Sequence, residues 1–462
     1  MSPSFFLVIL LGLASLMYMQ GKRRAFRLAG SGPASTGLHS RPGYYGMLTA
    51  LWCVIPALII FSLWMAFSDV VLTTLALKTL PASMQGISPE QSNLLVNDLL
   101  NLVSGHVAAR DIDPVLQLAA DQYLGMERIS RIALAIVMFA TALFFSSLMY
   151  RRIAPEMRAR NHVERIVQIG LMLCSTLAIL TTIGIVASVL FESIRFFQQV
   201  PLTDFLFGLK WSPQMAMRAD QAGSSGSFGA VPILAGTFMI SGIALSVAVP
   251  IGLMSAIYLS EYAGSQVRAW AKPIMEILAG VPTVVYGFFA ALVVAPFIRN
   301  SGEFLGLNVS SESALAAGLV MGVMIIPFIS SLSDDVINAV PQAMRDGSYG
   351  LGATKSETIL NVIIPAALPG IVGGVLLAAS RAIGETMIVV MAAGLSANLT
   401  ANPLQAVTTV TVQIVTLLVG DQEFDSPKTL VAFALGLLLF LVTLVLNVIA
   451  LYVVRRYREQ YE

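Results

Sequence analysis

Long apolar stretches recur along the chain, and each is long enough to cross a membrane as a helix. A transmembrane helix needs about 20 predominantly apolar residues to span the hydrocarbon of a bilayer. Such stretches lie at residues 3–20, 47–67, 130–150, 166–191, 229–258, 271–298, 314–332, 366–395 and 428–454. The pattern predicts an all-α, polytopic transmembrane helical protein with about nine spans.

The charges beside these stretches predict how the chain is oriented. No basic residue precedes the first stretch, and Lys22 to Arg27 follow it directly, which favours an uncleaved anchor over a signal peptide. Basic residues gather at the cytoplasmic ends of spans. Here they gather at residues 22–41, 151–165 and 455–458. With nine spans, this distribution places the N-terminus outside and the C-terminus in the cytoplasm.

The first part of the chain differs from the rest. Residues 68–128 hold many Asp and Glu but few Lys and Arg, and helical apolar spacing at Pro89–Val103 and Pro114–Tyr123 predicts a small external helical segment. The three spans before residue 160 carry no intramembrane charge, whereas the remainder is dense in Gly and Pro. We therefore expect residues 1–160 to form an accessory N-terminal unit.

Composition narrows the function classes. Hydrophobic residues make up 56% of the chain and charged residues 11%, far below the ~25% charge of a soluble globular protein. The formal net charge of +1 leaves no basic surplus for nucleic acid. Two cysteines and three histidines, widely separated, predict neither a disulfide framework nor a metal site, and no cofactor is expected.

Arg381 and Glu385 are the most informative charged residues, because they lie within the apolar stretch 366–395. An arginine at the centre of a spanning helix costs at least about 2.5–3.5 kcal/mol and needs a partner or a wet cavity. On a continuous helix, Glu385 would lie one turn from Arg381 on the same face. Such a pair predicts an anion path, because an oxyanion can replace the carboxylate at the guanidinium.

Two alternatives remain open for these charges. Arg381 and Glu385 could form a fixed ion pair that only joins helices, and Glu276, close to Lys272, is better interpreted as an interfacial residue. Glycines on the same span predict a surface of low bulk for close helix packing; they are Gly370, Gly373, Gly374 and Gly384.

The cytoplasmic segment at residues 333–365 predicts a helix, a turn and a second helix. Pro341 can open a helix, Gly352 permits a sharp turn, and Pro365 favours the start of the next helix. From these residues alone, a plain surface helical hairpin is the simpler interpretation.

A family resemblance makes that segment more specific. Asp346-Gly347-Ser348, then Gly352, then Val362-Ile363-Ile364-Pro365 resembles the EAA loop of ABC importer permeases, although Asp-Gly-Ser stands where Glu-Ala-Ala is usual. In that family the loop docks into the ATPase subunit. The resemblance implies that Asp346, Gly347, Ser348, Gly352 and Pro365 take part in ATPase coupling, and that residues 161–462 form a six-helix permease domain.

Three further motifs resemble the two permeases of the Pst phosphate importer, and the residues after Thr386 resemble its PstC type more than its PstA type. The motifs are Ser260-Glu261-Tyr262-Ala263, Leu278-Ala279-Gly280-Val281-Pro282-Thr283-Val284-Val285-Tyr286-Gly287 and Arg381-Ala382-Ile383-Gly384-Glu385-Thr386. The resemblance implies a permease subunit for inorganic phosphate in the bacterial cytoplasmic membrane. Its implied partners are a PstA-like permease, a PstB-like ATPase dimer and an external PstS-like phosphate-binding protein.

Other functions stay open at this stage. Gly350 to Ser356 lacks the glycine directly before lysine that a P-loop requires, so the chain is expected to be a transport subunit and not an enzyme. A guanidinium recognises the geometry and charge of an oxyanion but does not distinguish its central atom, so sulfate or molybdate remains an alternative substrate. An ion-coupled secondary transporter would need a pair of inverted, broken helices, and no convincing inverted repeat is seen. A membrane-embedded enzyme lacks any recognisable motif within the spans.

Overall fold

The computed structural model describes residues 3–29, 37–78, 101–103, 114–215, 225–419 and 426–457. Within those residues, nine helices are long and apolar enough to cross a membrane, which confirms the predicted number of spans. Contacts between Cα atoms divide the chain into two compact units, Met1–Leu180 (unit 1) and Thr181–Glu462 (unit 2).

Unit 1 is built from long continuous helices. They are α1 (Pro3–Leu28), α2 (Pro42–Lys78), α3 (Pro114–Arg152) and the first half of α4 (Ala159–Gln199). The division between the units thus lies within α4, whereas the proposed accessory unit ends near the start of that helix. Residues 114–123 are helical, as predicted; most of the predicted helix at Pro89–Val103 lies outside the described residues, and residues 101–103 are helical.

Close packing and buried hydrogen bonds hold the first helices together. The hydroxyl group of Tyr45 donates to the carbonyl oxygens of Pro155 and Met157 at 3.2 and 2.9 Å. Thr49 donates to the carbonyl oxygen of Met17 on α1 at 3.2 Å. These bonds pair polar groups that lie in an apolar surrounding, where an unpaired donor would be costly.

Unit 2 begins at Thr181, within α4, and contains many further elements, several of them short. In chain order they are α5 (Leu202–Phe207), β1 (Trp211–Met215), β2 (Ser225–Phe228), α6 (Val231–Ile257), α7 (Ser265–Ala279), α8 (Thr283–Phe289), α9 (Ala295–Phe304), α10 (Ala314–Ala339), α11 (Gln342–Gly350), α12 (Lys355–Thr358), α13 (Ile364–Ile383), α14 (Met387–Ala392), α15 (Val410–Leu418) and α16 (Pro427–Tyr457).

The antiparallel hairpin of β1 and β2 departs from the all-α prediction. Side chains from helical elements stabilise it. The indole Nε1 of Trp211 donates to Oε1 of Gln413 on α15 at 2.8 Å, and the Trp211 and Phe228 rings meet edge to face.

The core of unit 2 lies around α10, which is mostly buried. Glycines bring helices close to it. A Cβ at Gly318 would lie 2.7 Å from the Ile243 side chain on α6, and one at Gly370 would lie 2.5 Å from Val336 on α10. Gly374 approaches Leu332, and Gly373 approaches Val454. The predicted low-bulk surface is therefore present at Gly370, Gly373 and Gly374, but Gly384 meets only its own helix.

Two predicted spans are interrupted, and this corrects the prediction of single continuous helices there. The stretch 271–298 is divided at residues 280–282, where Gly280 ends α7 and Pro282 precedes α8. The stretch 366–395 is divided because α13 ends at Ile383 and α14 starts at Met387. Three single π-helical turns add further irregularity, at Tyr258–Tyr262, Ala290–Val294 and Ile359–Ile363.

Candidate transport site and coupling segment

Arg381 lies in the last turn of α13 and is exposed. Its guanidinium carbon lies 5.6 Å from the centroid of the Phe328 ring on α10. A cation over an aromatic face and the carbonyl end of a helix are both favourable surroundings for positive charge. The N–H donors of the side chain thus remain available to another group.

Glu385 follows the end of α13 and does not share a helix with Arg381. The predicted i and i+4 relation is therefore wrong, and no ion pair joins these two residues within the described part of the chain. One carboxylate oxygen, Oε1, accepts from the backbone N–H of Met387 at 3.1 Å, at the start of α14. The carbonyl oxygen of Glu385 accepts from the Thr411 hydroxyl at 2.8 Å. Glu385 thus fixes the break between the two helices.

A second group of charges lies between α7 and α10, and the sequence did not single it out. Nη2 of Arg268 donates to both carboxylate oxygens of Asp334 at 3.1 Å, and Nζ of Lys272 donates to Oδ2 at 3.2 Å. The Asp334 side chain is only 7% exposed. It also accepts from Nδ2 of Asn338 at 2.9 Å. This network ties α7 to the core helix.

The same helices enclose a cavity of about 240 Å³. Its lining is Leu259, Arg268, Lys272, Met275, Glu276, Ala279, Pro327, Phe328, Ser330, Ser331 and Asp334. Phe328 therefore both faces Arg381 and lines this cavity. The signal in the sequence was the spacing of Arg268, Lys272 and Glu276, which places them one turn apart on one face of a helix.

The coupling segment has the predicted form of a helix, a turn and a second helix. α11 ends at Gly350, and Gly352 has a φ of +84°, a left-handed conformation that glycine adopts without the steric cost of a Cβ. Thr354 and Glu357 then form a capping box that starts α12. Leu351, at the tip of the turn, is 92% exposed, so the turn presents an apolar side chain outward.

The other predicted coupling residues lie around this turn. Asp346 accepts from Nε2 of Gln342 at 3.1 Å on the exposed side of α11. The hydroxyl groups of Ser348 and Thr358 are 2.8 Å apart and join α11 to α12. Gly347 faces open space, and Pro365 lies in the first turn of α13. Asp346 and Gly347 are thus free to meet a partner, whereas Ser348 holds the turn in shape.

Arg345 and Glu261 form a buried ion pair that the sequence did not predict. Nε and Nη2 of Arg345 donate to Oε1 of Glu261 at 3.3 Å, and the two side chains are 10% and 9% exposed. The guanidinium also donates to the carbonyl oxygens of Val340 and Ile337. The pair connects α11 to the π-helical turn that ends α6, so a movement of the coupling segment reaches a spanning helix directly.

Comparison with known proteins gives two family matches. Residues 6–181 match a family model described as phosphate ATP-binding cassette transporter. Residues 248–459 match the model described as binding-protein-dependent transport system inner membrane component. Together these matches cover most of both units.

Curated relatives align with about half of the chain or somewhat more. The probable ABC transporter permease protein YqgH of Bacillus subtilis is 32% identical over 59% of this chain and 86% of its own length. The phosphate transport system permease protein PstC of Mesorhizobium japonicum is 34% identical over 50% of this chain and 74% of its own length. The protein of the same name from Haemophilus influenzae is 36% identical over 47% of this chain and 72% of its own length. A chain from the crystal structure of a bacterial alginate ABC transporter with its pentasaccharide-bound periplasmic protein aligns with 15% identity, over 66% of this chain and 99% of its own length, at a TM-score of 0.45.

Proposed function

This chain belongs to the family of binding-protein-dependent transport system inner membrane components, and from that premise we propose that it is the PstC-type permease subunit of an ABC importer for inorganic phosphate. It is a multi-pass protein of the cytoplasmic membrane. The observation that carries the proposal is the similarity to PstC proteins over about three quarters of their length. The match of unit 1 to a phosphate ABC transporter model supports the same substrate.

The proposed assembly contains a second, PstA-like permease, a PstB-like ATPase dimer and an external PstS-like phosphate-binding protein. ATP hydrolysis takes place in the ATPase subunits, and this chain is a transport component. We assign the accessory role to residues 1–160 and the permease role to residues 161–462. The turn at Gly352 and the exposed surface of Asp346 and Gly347 form the contact with the ATPase.

Arg381 is the proposed anion-binding residue of the transport path. Its guanidinium has no carboxylate partner within the described residues, so its planar donors can meet two oxygens of phosphate at once. Glu385 has a positioning role beside it, because its carboxylate caps α14 and keeps the helix break in place. Binding at the permease stays weak, since a solute held tightly by a path cannot leave it.

The test is uptake by the reconstituted complex. We expect Arg381→Gln to insert and assemble but to abolish uptake of radiolabelled phosphate, and Arg381→Lys to lose most of it, because an ammonium cannot form the bidentate contact. Arg299→Gln is the matched control: this arginine is also exposed, and its weak contact with Glu303 is 4.0 Å long. Normal uptake by Arg381→Gln would refute the assignment.

The same reconstituted complex distinguishes phosphate import driven by ATP from secondary transport and from import of another oxyanion. Proteoliposomes that hold ATP should take up phosphate in the presence of an uncoupler, because ATP hydrolysis and not an ion gradient drives the cycle. Phosphate uptake should also persist in excess sulfate or molybdate. Uptake that stops with the uncoupler would favour a secondary transporter, and preferential uptake of sulfate or molybdate would reassign the substrate.

A further inference from the structure

We propose that the cavity between α7 and α10 is a binding site for a protonated oxyanion, hydrogen phosphate, which it distinguishes from sulfate. The inference rests on the proposed function, because transport is what brings phosphate to this depth in the protein. It adds a site that is separate from Arg381 and that contains both donors and an acceptor.

The buried hydroxyl group of Ser330 is evidence that the cavity binds a ligand. The residue is 1% exposed, and among the described residues its Oγ is the buried side-chain polar atom that has no hydrogen-bond partner. Leaving a buried polar group without a hydrogen-bond partner is unfavourable. Ser330 lines the cavity, and the volume of about 240 Å³ far exceeds the ~10–15 Å³ that a water needs. The space can therefore admit a small polar solute that the hydroxyl would bind.

The cationic side chains on α7, Arg268 and Lys272, have more N–H donors than their hydrogen bonds to Asp334 use. Arg268 uses Nη2 for both bonds to Asp334, and a guanidinium has five N–H donors on three nitrogens. Lys272 has three donors and directs one to Asp334. Asp334 thus orients both cationic side chains but leaves some of their N–H donors unused. These donors, together with Ser330, can bind the oxygens of a tetrahedral anion.

Glu276 is the residue that would select a protonated anion. It lines the cavity one turn from Lys272 and has no ion-pair partner within the described residues. Its carboxylate can accept a hydrogen bond from the P–O–H group of hydrogen phosphate. Sulfate has no such proton at neutral pH, so its oxygens would meet Glu276 as like charges, which is unfavourable.

The charges that line the cavity suit a transport path better than a site of tight binding. Among the lining residues Arg268 and Lys272 are balanced by Asp334 and Glu276, and the Asp335 carboxylate, 3.8 Å from Nζ of Lys272, adds a further negative charge nearby, so the cavity holds an anion only weakly. The opposite face of α7 is apolar and exposed, with Trp270 at 75%, Ile274 at 60% and Ile277 at 70%. The helix therefore presents its charges to the cavity and its apolar side chains away from it, which is how a polar route is separated from lipid.

Thiol protection in the full complex tests the site without relying on transport. In a chain with Cys53→Ala and Cys174→Ser, Ser330→Cys is treated with a small charged thiol reagent in the presence of inorganic phosphate or sulfate at equal ionic strength. Phosphate at twice its dissociation constant should slow modification about threefold, because one third of the sites are then empty. Sulfate should leave the rate unchanged.

The matched control is Ser265→Cys in the same background. Ser265 is exposed at the start of α7 and lies outside the cavity lining. Phosphate should not change its rate of modification. Adding Glu276→Gln to Ser330→Cys should let sulfate protect as well, because an amide can donate to a sulfate oxygen.

Three results would overturn the proposal: no protection by phosphate, equal protection by sulfate before Glu276 is changed, or no reaction of the thiol at position 330. Phosphate uptake by the unmodified complex is measured in parallel. Normal uptake without protection would reject the cavity site and leave the proposed function standing, whereas absence of uptake would reject the proposed function itself.

Discussion

The two units of the chain differ in how continuous their helices are. In unit 1, α1, α2 and α3 run for 26, 37 and 39 residues without a break, and α2 passes through Pro56. In unit 2, α10 and α16 are also continuous, but the predicted spans at 271–298 and 366–395 are divided at residues 280–282 and 384–386, and π-helical turns lie at Tyr258–Tyr262, Ala290–Val294 and Ile359–Ile363. Such irregular turns are frequent at functional sites. Three of the interruptions lie at Glu261, at Glu385 and beside the coupling segment.

The ion pairs differ in the same way. In the described residues of unit 1 they are local and exposed, as between Arg160 and Glu164 on one helix, and such pairs contribute little to stability. In unit 2, Arg345 and Arg268 pair with carboxylates on other elements. Unit 2 also has a local pair between Arg299 and Glu303, so the difference between the units is that unit 2 adds ion pairs that connect separate elements.

The largest effect that would test this contrast is expected at Gly352 in unit 2. Gly352→Asp should leave the complex assembled and the binding protein docked, yet remove uptake and the stimulation of ATP hydrolysis by the loaded binding protein. A non-glycine residue in a left-handed conformation costs roughly 1–2 kcal/mol, and the new side chain would stand at the ATPase contact. Hydrolysis and uptake are measured on the same reconstituted complex.

Gly347→Ala is the control for that change, because Gly347 also faces open space, has no positive φ, and stands where the EAA loop that it resembles has alanine. It should retain coupling. Wild-type stimulation of hydrolysis in Gly352→Asp would show that the turn does not transmit the signal, and the contrast between the units would lose its functional meaning.

The next effect concerns stability. Arg345→Met should lower the stability of unit 2 by about 3–5 kcal/mol, because it leaves the Glu261 carboxylate buried without its partner. A lower melting temperature of the purified complex is the measurement. The matched change on a local exposed pair, Arg160→Met, should shift the melting temperature little.

A double variant distinguishes the ion pair from simple loss of packing. Glu261→Gln combined with Arg345→Met should regain part of the lost stability, since no uncompensated charge remains. If the double variant is as unstable as the sum of its single changes, the two residues do not act as a pair.

Much of this architecture could be predicted from the sequence because it depends on composition and local chemistry. Apolar length alone gave nine spans, and Pro341, Gly352 and Pro365 predicted a helix, a turn and a second helix where α11 and α12 lie. Helix starts and sharp turns are set by a few neighbouring residues, so they can be recognised in a short stretch of sequence.

The site was harder to predict because it depends on residues that are distant in the chain. Arg345 and Glu261 are brought together by packing of α11 on the end of α6, and Asp334 meets Arg268 only when α7 folds against α10. The error at Glu385 has a local cause. An apolar stretch was expected to continue as one helix, but Gly384 and the capping carboxylate of Glu385 end α13 and start α14.

The smallest of the expected effects lies in unit 1 and tests whether this unit serves only as an anchor. A Cβ at Gly46 would lie 2.6 Å from the carbonyl oxygen of Tyr18, so Gly46→Ala forces α1 and α2 apart and should cost about 1–3 kcal/mol. Gly12→Ala on α1 has open space and is the control. We expect Gly46→Ala to reduce the amount of complex in the membrane while phosphate uptake per complex stays unchanged. Normal amounts of complex with slower uptake per complex would instead mean that unit 1 takes part in the transport cycle.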